Sequence, residues 1–160
     1  MFNFLNRKEG GFLVAPQNGR VASLREIPDE VFSEKILGDG VAIVPSDDDV
    51  VSPVRGEVVQ VADTGHAFCI RSDDGVEILI HIGVNTIGLK GKGFTSFVSS
   101  GQRVNAGDLI GKADIKLIEQ SGYPIHTAVL ITNMQDIKDI DLAEGSAEAG
   151  KTKIIFYTKN

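Results

Sequence analysis

Residues 76–82 of this chain alternate between an apolar face and a face that carries the polar residues. One face of the segment would carry Val76, Ile78, Ile80 and Ile82. The other face would carry Glu77, Leu79 and His81. Alternation with many β-branched residues predicts a half-buried β-strand. Residues 72–75, Ser-Asp-Asp-Gly, predict a tight turn before it, because glycine readily adopts a positive φ. Residues 66–82 should therefore form a β-hairpin.

This hairpin carries two of the three histidines in the chain. If residues 72–75 form the loop, His66 lies directly opposite His81. If only residues 74–75 form it, His81 faces Phe68, and both histidines still share a face. A three-residue loop would place them on opposite faces. Opposed residues have Cβ atoms about 4.5–5.5 Å apart, which is close enough for two imidazoles to bind one small group.

Short strand patterns separated by turn residues continue along the rest of the chain. Residues 14–24 and 51–61 form a repeat, in which Pro is followed by Gly and an alternating strand. Further strand patterns occupy residues 40–44, 128–132 and 153–157. Short helical turns are predicted at 29–38, capped by Asp29, and at 114–120. This pattern is typical of an all-β fold, a β-sandwich or barrel with short helical turns.

Composition and charge exclude several classes of protein. The 160 residues suit one domain, which we place at 12–160 behind a flexible leader at 1–11. A net charge of −6 gives no electrostatic footprint for nucleic acid. One cysteine, Cys69, cannot form an internal disulfide and fits a reducing compartment. Without a signal peptide or an apolar run of membrane-spanning length, a cytoplasmic location is expected.

Several spaced motifs resemble the glucose-type enzyme IIA domain of the bacterial phosphoenolpyruvate-dependent sugar phosphotransferase system. They are Gly38-Asp-Gly, Thr64-Gly-His-Ala-Phe, Gly75-Val-Glu-Ile-Leu-Ile-His-Ile-Gly, Leu89-Lys-Gly-Lys-Gly-Phe and Gly101-Gln-Arg-Val-Asn-Ala-Gly-Asp. The likeness runs in order from Phe12 to Tyr157. It implies an antiparallel β-sandwich (a barrel-sandwich hybrid) that acts as a monomeric phosphocarrier without a cofactor or metal.

The resemblance also implies the roles of three residues. His81 would accept a phosphoryl group through Nε2, His66 would hydrogen-bond the phosphoryl oxygens, and Thr64 would orient His66. The donor would be the histidine-containing phosphocarrier protein, and the acceptor the IIB domain of a sugar permease. Neutral imidazole suits this chemistry, since its pKa near 6.5 leaves it largely uncharged at cytosolic pH.

Partner docking is expected at an apolar edge around the two histidines. The implied docking residues are Asp29, Phe32, Ile36, Leu37, Asn85 and Ile87. Asn85 departs from the family pattern, because many relatives carry an aspartate four residues after the phosphorylated histidine. The segment 121–127 is also unlike the familiar sequences. Phe32, Ile36, Leu37 and Ile87 have a plain alternative role as core residues.

Two other functions compete with the phosphocarrier. Two histidines of a related β-barrel could hold zinc in a hydrolase, but no His-x-His motif occurs, and a third ligand such as Glu77 would have to converge. A biotinyl or lipoyl carrier would need a lysine at the hairpin tip, which is Ser-Asp-Asp-Gly here.

Three features are given structural roles. His126 is expected to be a surface residue, and Cys69 a buried inert thiol on the face opposite His66. Residues 47–49, three aspartates, are expected to form a solvated turn, since they lack the spacing of a calcium loop.

Overall fold

The computed structural model describes residues 10–160. The strands are β1 (Gly10–Val14), β2 (Gly19–Ser23), β3 (Asp39–Pro45), β4 (Asp49–Val51), β5 (Gly56–Val61), β6 (Ala67–Ser72), β7 (Glu77–Ile82), β8 (Phe94–Ser96), β9 (Arg103–Val104), β10 (Leu109–Ala113), β11 (Thr127–Ile131), β12 (Ile137–Leu142), β13 (Gly145–Ala147) and β14 (Lys153–Lys159). The helices are α1 (Glu30–Ser33) and α2 (Ile115–Gln120), with short 3-10 helices at Leu24–Glu26, Thr86–Leu89 and Met134–Asp136. In this part of the chain, no helix is long and apolar enough to span a bilayer.

The strands form three sheets with antiparallel pairing. An eight-stranded sheet has the order β13-β2-β3-β11-β7-β6-β5-β9, and two three-stranded sheets have the orders β1-β14-β12 and β4-β10-β8. The β-branched face of β7 packs into the main core, which includes side chains from all three sheets. Both the antiparallel β-sandwich and the strands predicted at 40–44, 76–82, 128–132 and 153–157 are confirmed.

The sequence repeat corresponds to a reciprocal contact. Val14 N–H donates to the Pro53 carbonyl at 3.0 Å, and Val51 N–H donates to the Pro16 carbonyl at 2.8 Å. Each donor and acceptor occupies the equivalent place in its own copy of the repeat. The two copies of the repeat therefore contact each other just before their strands, through a locally symmetric pair of backbone hydrogen bonds.

The expected N-terminal boundary needs one correction. Strand β1 begins at Gly10 and pairs with β14, so residues 10 and 11 belong to the sheet and not to a leader. The remainder of the predicted leader, residues 1–9, lies outside the described residues.

The helical prediction at 29–38 is correct at its start and wrong at its end. Asp29 caps α1 by accepting a hydrogen bond from Val31 N–H, as predicted. The helix ends at Ser33, because Lys35 takes a left-handed conformation with φ 59°. Lys35 N–H and Ile36 N–H then donate back to the carbonyls of Phe32 and Val31, which is a Schellman-type ending. At α2, the predicted helix is confirmed, and Asp114 proves to be its cap, accepting a hydrogen bond from Leu117 N–H.

A row of mostly small side chains crosses the outer face of the eight-stranded sheet and leaves room for other residues to pack there. Cross-strand pairing places five residues in line: Ala22, Ala42, Ala128, His81 and Ala67. Because alanine projects little, residues 24–32 can pack closely on this face and form a second, smaller core. His81 is therefore a polar residue at the end of an apolar layer.

Candidate functional site

The register of the histidine hairpin differs from both predicted alternatives. Strands β6 and β7 pair Ala67, not His66 or Phe68, with His81. Ser72 N–H donates to the Val76 carbonyl at 2.8 Å, which leaves a three-residue loop, 73–75. That register was predicted to separate the two histidines.

The two imidazoles nevertheless lie together, so their predicted proximity is confirmed by a different route. Their ring centroids are 5.1 Å apart with an interplanar angle of 81°. His66 lies just before β6, so its side chain does not have to follow the alternation of side chains along that strand. The turn before it closes through Gly65 N–H to the Ala62 carbonyl at 2.8 Å, with Gly65 at φ 74°. This turn allows the His66 ring to reach the face that carries His81.

The hydrogen bond of His81 selects its reactive nitrogen. Nδ1 lies 3.0 Å from the Gly83 carbonyl oxygen, which can only accept, so Nδ1 carries the proton. Nε2 then has the free lone pair. Gly83 has φ 76°, and a Cβ there would lie 2.3 Å from the Thr86 side chain. Glycine is therefore required at the residue whose carbonyl fixes the His81 tautomer.

His66 is held by the predicted partner. Its Nδ1 hydrogen-bonds the Thr64 hydroxyl, and only 7% of the residue is exposed. When the hydroxyl donates to Nδ1, the proton of neutral His66 is on Nε2, which becomes a donor. His81 thus offers a nucleophilic nitrogen, and His66 can offer an N–H.

Burial keeps both imidazoles neutral. The pKa of His81 is lowered first by burial and then by the neighbouring His66, against the opposing effects of the Gly83 carbonyl and Asp29. Burial also lowers the pKa of His66. Two adjacent cations are unfavourable in such a site, so both rings are neutral at neutral pH.

The surroundings divide into a buried support and an exposed rim. The Phe32 ring packs on His81 at a centroid distance of 4.9 Å and is only 4% exposed. Phe32 was expected at the docking edge, but it is the buried residue of α1 and packs under the imidazole instead of at the surface. Ile36, Leu37 and Ile87 are 66%, 44% and 64% exposed, so they are not core residues.

The two polar rim residues have separate local roles. Asp29 caps α1 and also raises the pKa of His81 through its charge. Asn85 is exposed and left-handed, with φ 61°, immediately before the helix Thr86–Leu89. Asparagine tolerates this conformation better than most residues do.

Two residues around the histidines were not predicted from the sequence, and two further residues were predicted in the wrong surroundings. The Phe94 ring lies edge-on to the His66 ring, with 6.3 Å between the ring centroids. Gly83 supplies the carbonyl that accepts from His81 Nδ1. His126 is partly buried, and no group in residues 10–160 hydrogen-bonds to its buried Nδ1, so its expected surface position was wrong. Cys69 is partly buried and shares the face of His81; burial, then Glu77, raises its thiol pKa.

The aspartate turn and the zinc alternative can also be compared with the structure. Asp48 accepts a hydrogen bond from Ile115 N–H, and Asp49 pairs with Lys112, so the turn at 47–49 helps to join neighbouring segments. Within the described range 10–160, no three His, Cys, Asp or Glu side chains cluster as metal ligands.

Comparison with known proteins gives a consistent result. A family model described as phosphoenolpyruvate-dependent sugar phosphotransferase system, EIIA 1, matches residues 12–137. The chain is 40% identical over 153 residues to the PTS system glucose-specific EIIA component of Buchnera aphidicola, covering 96% of this chain and 94% of that protein. It is 42% identical over 147 residues to the protein of the same name from Bacillus cereus, covering 91% and 89%.

A solved structure agrees with the sequence relatives. Glucose permease IIA from Mycoplasma capricolum matches with a TM-score of 0.86 and 38% sequence identity, covering 97% of this chain and 99% of that one. The fold and the sequence thus lead to one assignment. The chain belongs to the EIIA 1 family of components of the phosphoenolpyruvate-dependent sugar phosphotransferase system.

Proposed function

We propose that residues 10–160 form a cytosolic, monomeric phosphocarrier domain that accepts a phosphoryl group on His81 Nε2. The donor is the histidine-containing phosphocarrier protein, and the acceptor is the IIB domain of a sugar permease. Glucose is the first sugar to test, since the relatives are named glucose-specific. The observation that carries the proposal is the Nδ1 hydrogen bond to Gly83, which leaves Nε2 as the nucleophile.

The transfer is a displacement at phosphorus. The Nε2 lone pair of His81 forms a new N–P bond while the N–P bond of the donor phosphohistidine breaks, and that bonding pair returns to the donor imidazole. His81 keeps its Nδ1 proton, so its ring becomes cationic, and the Gly83 carbonyl stabilises that N–H. Passing the group to the acceptor reverses these changes.

His66 stabilises the group that is transferred. A phosphoryl group carries about −1.5 to −2 charges near neutral pH. The Nε2–H of His66 can donate to its oxygens when Thr64 donates to Nδ1. Since phosphoryl transfer depends mainly on positioning and electrostatics, an oriented donor beside the nucleophile is the contribution the chemistry needs.

Donor and acceptor use the same docking surface, because both must reach one nitrogen. We define this docking rim as Ile36, Leu37 and Ile87, the exposed apolar side chains of the predicted docking set. Apolar contacts supply the affinity, and nearby charge mainly affects the encounter rate. A relay must release its partners quickly, so Kd values of about 1 μM or weaker are expected. A Kd of about 1 μM corresponds to a binding free energy of about −8 kcal/mol.

Incubation with phosphoenolpyruvate, enzyme I and the phosphocarrier protein tests the proposal. Wild-type protein should gain one acid-labile phosphoryl group, measured by intact mass, and should transfer it to a glucose-type IIB domain. His81→Ala should gain none, whereas His126→Ala is the matched histidine control and should gain the group. Labelling of His81→Ala, or an unlabelled wild type, would refute the assignment.

A further inference from the structure

The loop of residues 83–89 carries two parts of the proposed site. At its start, the Gly83 carbonyl accepts from His81 Nδ1; near its end, Ile87 is exposed on the docking rim. The loop lies outside the strands. Its position therefore depends on contacts with other segments.

A neighbouring segment, residues 123–126, supports this loop. Gly83 N–H donates to the His126 carbonyl at 2.9 Å, and Val84 N–H donates to the Pro124 carbonyl at 3.1 Å. These bonds fix the first half of the loop.

The second half of the loop lies against Tyr123. A Cβ added at Gly88 would be 2.5 Å from the Tyr123 hydroxyl oxygen and 3.4 Å from the adjacent ring carbon. The Tyr123 hydroxyl therefore occupies the space that a Cβ at residue 88 would need, directly after Ile87. One oxygen atom accounts for the tightness of this contact.

Tyr123 is itself fixed to the interior. Its N–H donates to the Ile118 carbonyl at 3.2 Å, and its partly buried side chain packs against the main core. Ile118 is fully buried in α2. The contact thus links the docking rim to a rigid part of the molecule.

We propose that Tyr123 is a positioning residue for phosphoryl transfer. Its side chain sets the position of the helix Thr86–Leu89, which places Ile87 for docking beside His81. This inference rests on the proposed function, because Ile87 and His81 are assigned roles only there. Tyr123 acts through the loop and contacts no reacting atom.

A double-mutant cycle between residues 88 and 123 tests the inference. Gly88→Ala introduces the Cβ that Tyr123 obstructs, and the apparent KM for the phosphocarrier protein should rise about tenfold or more, as expected when a docking element is displaced. Tyr123→Phe removes only the obstructing oxygen and should transfer at about the wild-type rate. The double variant should recover most of the loss, since its nearest contact becomes the ordinary one at 3.4 Å.

Two further readouts distinguish positioning from general damage. The 15N shifts of His81 should show the wild-type preference for the Nδ1–H tautomer in Gly88→Ala and in the double variant, because backbone hydrogen bonds hold Gly83 independently of Gly88. Thermal unfolding should show that the variants are folded when they are assayed. If Gly88→Ala does not fold, Tyr123→Ala replaces it, because that change adds no atoms to the helix and should still raise the KM.

Each outcome has one meaning. A wild-type KM in folded Gly88→Ala, or in Tyr123→Ala where that replaces it, overturns the positioning role. So does a defect that Tyr123→Phe fails to relieve. If the wild-type protein takes no phosphoryl group from the donor, the proposed function fails instead.

Discussion

The hydrogen bonds of His81 and His66 give two identical side chains different capacities. A carbonyl fixes the Nδ1 proton of His81, whereas a hydroxyl faces Nδ1 of His66. A carbonyl only accepts, but a hydroxyl can donate. One ring is therefore a nucleophile at Nε2, and the other can be a hydrogen-bond donor there. This difference predicts unequal effects of substitution at the two positions.

His66→Gln should still accept a phosphoryl group but pass it on more slowly. The glutamine amide keeps an N–H that can partly replace the imidazole donor. Rapid-quench measurement of donor-to-protein and protein-to-IIB transfer would separate the two steps. Thr64→Ala should give a milder form of the same defect, and equal loss of both steps would exclude this division of roles.

The buried histidines should make the protein less stable in mild acid. Burial lowers the pKa of both rings in the folded state, so the unfolded chain binds more protons below its own value of about 6.5. Stability is therefore unaffected above that pH and falls as the pH drops through the folded-state values.

Urea unfolding at pH 7.5 and at pH 5.5 measures this effect. His66→Gln with His81→Asn should lose less stability between the two pH values than the wild type does, while His126→Ala should behave like the wild type. An NMR titration midpoint above 6.5 for either ring would contradict the assigned direction of the pKa shifts.

The short helix α1 and its ending sort apolar residues between core and surface. An uninterrupted helix would place Phe32 and Ile36 on one face. The left-handed Lys35 interrupts that spacing, so Phe32 packs under His81 while Ile36 is exposed. The segment 29–36 thus supplies both the ring that supports His81 and part of the proposed docking rim.

Substitutions at Phe32 and Ile36 should therefore have contrasting effects. Phe32→Ala removes a buried ring and should cost about 3–5 kcal/mol of unfolding free energy. Ile36→Asp alters an exposed position and should change stability by about 0.5 kcal/mol or less. The Ile36 variant should instead raise the KM for both donor and IIB, because a charge at an apolar rim opposes docking.

Urea unfolding and transfer kinetics on the same samples check this contrast. Leu142→Asp, at another partly exposed apolar position, is the matched control for Ile36→Asp and should leave the KM unchanged. Chemical-shift mapping should give one shared footprint for the two partners. Separate footprints, or none that reaches Ile36, would refute the common docking surface.

Long-range charge should affect how fast partners meet this acidic protein. Its net charge is −6, and Asn85 is an uncharged, exposed residue four positions after His81. Asn85→Asp should strengthen binding to a basic partner, mainly through the association rate. Adding salt should reduce the gain, since the Debye length is about 8 Å at physiological ionic strength.

Stopped-flow association at low and physiological salt tests this prediction. Asp39→Asn is the comparison variant, because it removes a negative charge where Asn85→Asp adds one. Asp39 is partly buried and pairs with Lys35. A salt-independent gain for Asn85→Asp would indicate a direct contact, not a long-range effect.

The interior strands and the candidate histidines could be predicted from sequence because their signals are local. Alternation of β-branched residues indicates a strand wherever it occurs, and Asp29 and Asp114 cap their helices by bonding their own neighbours. The spaced motifs located His66, Thr64 and His81 along the chain. None of these inferences required knowledge of distant contacts.

The hairpin register, the inward turn of Phe32 and the support under the loop 83–89 could not be found in that way. The register depends on a loop whose sequence fits more than one length, and Phe32 is separated from the exposed Ile36 because Lys35 adopts an unusual left-handed conformation. Tyr123 meets Gly88 across a long separation in sequence. Local chemistry thus specified which residues form strands, caps and imidazoles, whereas packing between distant segments fixed which atoms face one another.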